Sequence, residues 1–117
     1  MEKLKNQKCV PCRGDEPTLT NEEIEERKPQ VPEWEIIKKN GVKRLKRQFD
    51  FSNFEEALHF TNLVGEIAEE EGHHPAILTE WGKVTVKWWT HKIGGLHQND
   101  FVMAAKTDDL YLERKEE

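Results

Sequence analysis

Apolar residues recur at every second position in some stretches of this chain and at every third or fourth in others, and the changes of period mark its elements. Thr20-Asn21-Glu22-Glu23 reads as a capping box, with the Thr20 hydroxyl and the Glu23 carboxylate each able to satisfy a free backbone N–H, and it opens a short acidic helix that ends before Pro29. Residues 34–38 and 45–51 alternate and flank Asn40-Gly41, the dipeptide that most readily takes the positive φ angles of a type I′ turn. They predict a hairpin, with Trp34 and Ile36 on one face of the first strand and Leu45, Phe49 and Phe51 on one face of the second. Ser52-Asn53-Phe54-Glu55 is a second capping box, and Phe54, Leu58, Thr61, Val64, Ile67 and Ala68 keep the spacing of a helix lying on a sheet. Gly72 and Pro75 stop that helix. A second hairpin follows, from Ile77 and Leu78 through the turn Glu80-Trp81-Gly82-Lys83 into the alternating run 84–88. A last helix runs from about Gln98 to Leu112, with Asn99 as its capping candidate and Phe101, Met103, Ala104, Ala105 and Leu110 available for burial. The order α-β-β-α-β-β-α predicts an α+β fold, a four-stranded antiparallel sheet with three helices packed on one face.

The length, 117 residues, suits one domain. Residues 1–17 are polar and show no apolar period, so they are expected as a flexible arm, and residues 18–117 as the single domain. Charged and hydrophobic residues each make up 35% of the chain, and four Trp and five Phe among the latter point to a small core rich in aromatic area. A net charge of −5 counts against a nucleic-acid partner held by bulk electrostatics. The densest basic run, Lys43-Arg44-Leu45-Lys46-Arg47, falls in a predicted strand, where alternation splits its charges over two faces. No window is long and apolar enough for a membrane span and the N-terminus lacks the apolar core of a signal peptide, so a cytoplasmic protein with no membrane partner is expected. Cys9-Val10-Pro11-Cys12 is read as two reduced thiols in the arm, with a redox pair or a metal site shared with a second subunit as the alternatives.

Chemistry concentrates in Glu69, His73-His74-Pro75, Trp81, His91 and Asp100. An imidazole, with an unperturbed pKa of about 6.5, both gives and takes a proton near neutral pH, so three histidines among carboxylates read as an acid–base site. The plainer reading has His73 and His74 merely ending a helix at its negative pole. His59 and His97 stand outside the pattern and are read as surface or helix-start residues. The fixed spacing decides in favour of function. An acidic residue, three residues, His-His-Pro, five residues, an aromatic, nine residues, His, eight residues and Asp together resemble the signature of the pterin-4a-carbinolamine dehydratase family. The resemblance covers roughly residues 18 to 112 and leaves Cys9 and Cys12 outside it.

That resemblance implies dehydration of a 4a-hydroxytetrahydropterin to the quinonoid dihydropterin, in the recycling of tetrahydrobiopterin, without metal or cofactor. It implies His73, His74, His91 and Asp100 as the catalytic set, with His73 and His91 in the proton-transfer roles, His74 binding substrate and Asp100 orienting His91. Glu69 would hold the pterin or set the ionisation of His73, and Pro75, Thr90, Lys92, Ile93 and Trp34 would complete the substrate site. Trp89 departs from the vertebrate pattern, which has a small hydroxyl residue there, so a contact to the substrate side chain is in doubt. The implied partners are a small-molecule pterin and further copies of the chain, as a dimer or tetramer. Two rival readings are a zinc hydrolase using His73, His74 and His91, and a non-catalytic assembly or transcriptional cofactor of the same fold, a role vertebrate relatives also serve. Adjacent His73 and His74 point in opposite directions in extended chain, which disfavours a shared zinc ion.

Overall fold

The computed structural model describes residues 3–116, with side chains to Glu113. It has the expected order: α1 (Asn21–Arg27), β1 (Glu35–Lys39), β2 (Val42–Asp50), α2 (Phe54–Glu71), β3 (Ala76–Glu80), β4 (Lys83–Trp88) and α3 (Gln98–Glu116). The strands form one antiparallel sheet in the order β1-β2-β4-β3. Both hairpins close through tight turns, the first with Asn40 at φ 54° and Gly41 at φ 79°, the geometry that dipeptide favours. The Thr20–Glu23 capping box is present in full.

The strand register puts Leu45 opposite Trp88, and Phe49 opposite Val84, on the face that α2 and α3 cover. Arg44 and Lys46 fall on the other face and Arg47 on the covered one, so the basic run is split as alternation requires. Trp34, Phe49, Phe51, Phe60 and Tyr111 form an aromatic cluster, with ring centroids of contacting pairs 4.8 to 5.9 Å apart.

Three local expectations shift. The α2 cap is Asn53 rather than Ser52; its side chain accepts from the Glu56 N–H at 2.9 Å. The buried face of α2 runs through Ala57, Phe60, Val64 and Ala68, while Phe54 and Leu58 lie exposed. Asn99 lies inside α3 rather than capping it. The cap is His97, whose Nδ1 accepts from Asn99 N–H at 3.0 Å while its own N–H donates to the Asp100 carboxylate at 2.9 Å.

The largest difference lies before α1. Phe101 through Ala105 are all buried, which a helix covered on one side cannot achieve at 3.6 residues per turn. The second cover is the N-terminal segment, expected as a loose arm, which lies along α3. A 3-10 turn at Leu4–Asn6 inserts Leu4 completely into the core, a burial worth about 1.5–3 kcal/mol. Gln7 accepts from Gln98, the Lys5 carbonyl from Lys106, and Asn99 grips Val10 with two hydrogen bonds, from Val10 N–H at 2.9 Å and to Val10 C=O at 2.7 Å. Isolated anchors such as these produce no periodic pattern.

Candidate active site

Three segment ends meet at one cleft. The left-handed Gly72 (φ 67°) ends α2 and releases His73 and His74; the chain leaving β4 brings Thr90 and a 3-10 turn at His91–Ile93; the start of α3 brings Asp100. Thr90 is held by reciprocal backbone bonds with Gly95, which fold this connection back on itself. The cleft, of about 510 Å³, is lined by His73, His74, Thr90, His91 and Lys92, with Glu71 and Asn99 beside them.

Asp100 is the centre of the site and is completely buried. One carboxylate oxygen accepts from the Thr90 hydroxyl at 2.8 Å and from His97 N–H at 2.9 Å; the other lies 2.5 Å from His73 Nε2. A carboxylate accepts, so Nε2 carries the proton, and in the neutral tautomer this leaves the lone pair on Nδ1. Trp88 stacks on the same imidazole with centroids 5.7 Å apart and planes within 16°. His73 is thereby fixed in position, rotation and tautomer by buried groups.

This pairing corrects the expectation that Asp100 orients His91. His91 is exposed, its ring rests against Trp89 at 4.5 Å, and no carboxylate bonds it among the described residues. Glu69, expected to hold the pterin or to set the ionisation of His73, pairs with His74 at 2.5 Å and does not bond His73, and both groups of that pair stand in solvent. Trp34 does not reach the cleft at all: it is buried in the aromatic core and donates from its indole to Asp108 at 2.8 Å. Burial pushes the Asp108 carboxyl up, opposed by that indole and by Arg47 at 2.6 Å. Pro75 and Ile93 are half-buried beside the cleft and not part of its lining. Trp89 sits under the Arg44 guanidinium, 4.0 Å from its ring. Trp88 is core, and His59 is exposed on α2.

His97 and the thiols were the unforeseen neighbours. His97 Nε2 lies 2.5 Å from Glu16, and Cys9 and Cys12 line the same cleft as the histidines. Burial, reinforced by Glu71, pushes the Cys9 thiol up to about 12, which leaves it an inert thiol. Cys12, Glu16 and His97 place ligand atoms within 4.8 Å of one another. Nδ1 of His97 already accepts from the backbone, so the neutral ring holds its proton on Nε2; the atom facing Glu16 is a donor, and the pair is a hydrogen-bonded strap rather than a metal-ready ligand set.

The family model for pterin 4 alpha carbinolamine dehydratase matches residues 17–110. The chain belongs to this family. A protein of Nitrosococcus oceani assigned as a pterin-4-alpha-carbinolamine dehydratase is 61% identical over 110 residues, covering 94% of this chain and 97% of that one. One so assigned in Microcystis aeruginosa is 55% identical, covering 95% and 96%. Among solved structures, a transcriptional coactivator/pterin dehydratase from Brucella melitensis superposes with a TM-score of 0.72 at 29% identity, covering 80% of this chain and 98% of that one. A pterin dehydratase-like RuBisCO assembly factor of the alpha-carboxysome shares the fold, with a TM-score of 0.57 at 22% identity, over 67% and 88%. No helix among the described residues is long and apolar enough to cross a membrane.

Proposed function

We propose that the protein is a 4a-hydroxytetrahydropterin dehydratase acting through histidine acid–base chemistry. The observation that carries this reading is the buried Asp100–His73 pair, opening onto a cleft that also holds His74 and His91. Dehydration breaks the C4a–O bond, sends a proton to the departing hydroxyl to make water, removes the proton of the neighbouring ring nitrogen and leaves a C=N bond, the quinonoid dihydropterin. His73, whose Nε2–H is committed to Asp100, takes the ring-nitrogen proton on Nδ1. His91, from the other segment, delivers a proton to the hydroxyl. His74 and Glu69 bind the substrate at the open edge, and Lys92 and Thr90 complete the site, Thr90 by holding Asp100 in place. The residues need no metal for this, because proton delivery and removal are both within reach of positioned imidazoles.

The deciding assay mixes purified, chelator-treated protein with enzymatically generated carbinolamine and follows quinonoid dihydropterin. An acceleration over the spontaneous reaction is expected; the spontaneous rate alone, or activity that returns only with zinc, would replace this reading. The physiological role we propose is tetrahydrobiopterin recycling in the cytoplasm. We also propose a homo-oligomer. Phe54, Leu58 and Trp81 are exposed, Trp81 at 72%, and the Phe51 to Gly82 hydrogen bond joins the Trp81 turn to the start of α2, so apolar area gathers at one end of the molecule, with Leu78 exposed on the other face of the sheet. Sedimentation of a monomer at micromolar concentration would count against that assembly.

A further inference from the structure

The N-terminal segment crosses the cleft between its two histidine-bearing sides. At one end Cys9 N–H donates to Glu71, on the last turn of α2, at 2.8 Å; at the other the Lys92 ammonium donates to the Cys12 carbonyl at 3.3 Å, next to His91. Between these ends Asn99 holds Val10 by both its amide groups, and beyond Cys12 Glu16 is strapped to His97. The stretch is therefore tied at four separate places to the elements that carry the site. Its composition complements them: the cleft lining from the rest of the chain is imidazole, hydroxyl, ammonium, amide and carboxylate, and its aliphatic surface comes from Val10 and Pro11. Val10 is 56% exposed although its backbone is fully bonded, so its side chain is held out rather than packed away. A planar heterocycle bound in water gains by covering such a surface, which adds aliphatic contact to the imidazole faces and hydrogen-bonding groups of the rest of the lining.

We propose that residues 9–12 form a substrate-contacting wall of the cleft, with Val10 and Pro11 packing on the pterin and Asn99 acting as the positioning residue that sets them there. The inference rests on the dehydratase reading for the identity of the substrate. It makes Cys12 a reporter and leaves it no chemical role.

The test uses the full chain. Iodoacetamide labelling of Cys12 should slow several-fold when 7,8-dihydrobiopterin saturates the protein, with binding followed independently by tryptophan fluorescence, while Cys9 stays slow in both states. Val10→Ser should raise KM about tenfold, the discrimination typical of a lost apolar contact in a site, with kcat within about twofold. Its melting temperature should be unchanged, since the side chain it replaces is mostly exposed. Asn99→Ala should show the same split between KM and kcat. Full labelling of Cys12 under bound pterin would overturn the wall, as would wild-type KM in both variants. Absence of pterin binding by the wild type would overturn it together with the dehydratase reading. Protection of Cys12 in a protein with no dehydratase activity would retain the wall and discard the reaction.

Discussion

Two carboxylate–histidine pairs stand on adjacent histidines with the same 2.5 Å separation, yet they occupy opposite physical regimes. The His73–Asp100 side chains are 13% and 0% exposed; those of His74 and Glu69 are 63% and 77% exposed. In solvent such a pair is worth about 0–1 kcal/mol, because water competes for both groups and two mobile side chains must be ordered. In the interior the Nε2–H of His73 bonds a buried carboxylate, and leaving such a group without its donor costs about 1.5–3 kcal/mol. Contact distance alone therefore says little. What separates the pairs is that Asp100 has two further donors, Thr90 and His97 N–H, to satisfy the rest of its carboxylate.

The sharpest break in this comparison is Asp100→Asn. An amide can still accept from Thr90 or the backbone, but its NH₂ facing His73 would donate to Nε2 and move the ring proton to Nδ1, removing the lone pair assigned to the reaction. A fall in kcat of about 10²- to 10⁴-fold with a retained fold is expected from steady-state kinetics and circular dichroism. Turnover within threefold of wild type would remove Asp100 and His73 from the chemistry. His91→Ala should lose rate within or below the same range, without the tautomer signature in the histidine NMR spectrum.

Next in size is Thr90→Val, which keeps the shape and deletes one donor to Asp100. Losing a hydrogen bond to a buried charge costs about 1.5–3 kcal/mol, so the melting temperature should drop and kcat should fall roughly tenfold as His73 loses its fixed partner. An unchanged kcat would mean that the buried pair is held well enough without Thr90.

On the exposed side, His74→Ala and Glu69→Gln should change stability by no more than about 0.5 kcal/mol, since both side chains lie in solvent. His74→Ala should raise KM more than it lowers kcat, the pattern of lost uniform binding. A larger loss of kcat than in His73→Ala would exchange the roles of the neighbours.

The same contrast of local and long-range causes explains what could be read in advance. The Asn40-Gly41 turn, the Thr20 cap and the helix stop at Gly72 depend on neighbours in sequence, and each stands where the residues place it. Ser52 and Asn53 are both cap residues with a Glu three positions on, so the one-residue shift is not decidable from spacing. The motif brought His73, His74, His91 and Asp100 into one place. Which carboxylate serves which histidine depends on how the exit of α2 meets the start of α3, contacts made across 27 residues for His73 but 5 for His74. Trp34 and the N-terminal segment differ from expectation for a related reason: alternation puts Trp34 on one face of its strand without showing that the aromatic core and Asp108, rather than the cleft, receive it, and a single leucine anchor carries no period.

The smallest expected effect tests whether the segment over the cleft is held by the same kind of contact as the buried pair or the exposed one. Glu16 accepts from the Arg13 N–H and from His97, and these bonds hold its carboxyl below the usual value of 4.5. A carboxyl with a depressed folded value binds its proton less readily when folded than when unfolded. Its contribution to stability is therefore present above pH 4.5 and is lost as pH falls through the lower folded value. Glu16→Gln removes the titration, so wild type should unfold at a slightly higher temperature than the variant at neutral pH, and the difference should close in acid. The unfolding midpoints of both proteins across that range provide the check. A difference that stays constant from neutral to acid pH would show that Glu16 contributes shape rather than charge, and would place the strap with the solvent-exposed pair in its energetics.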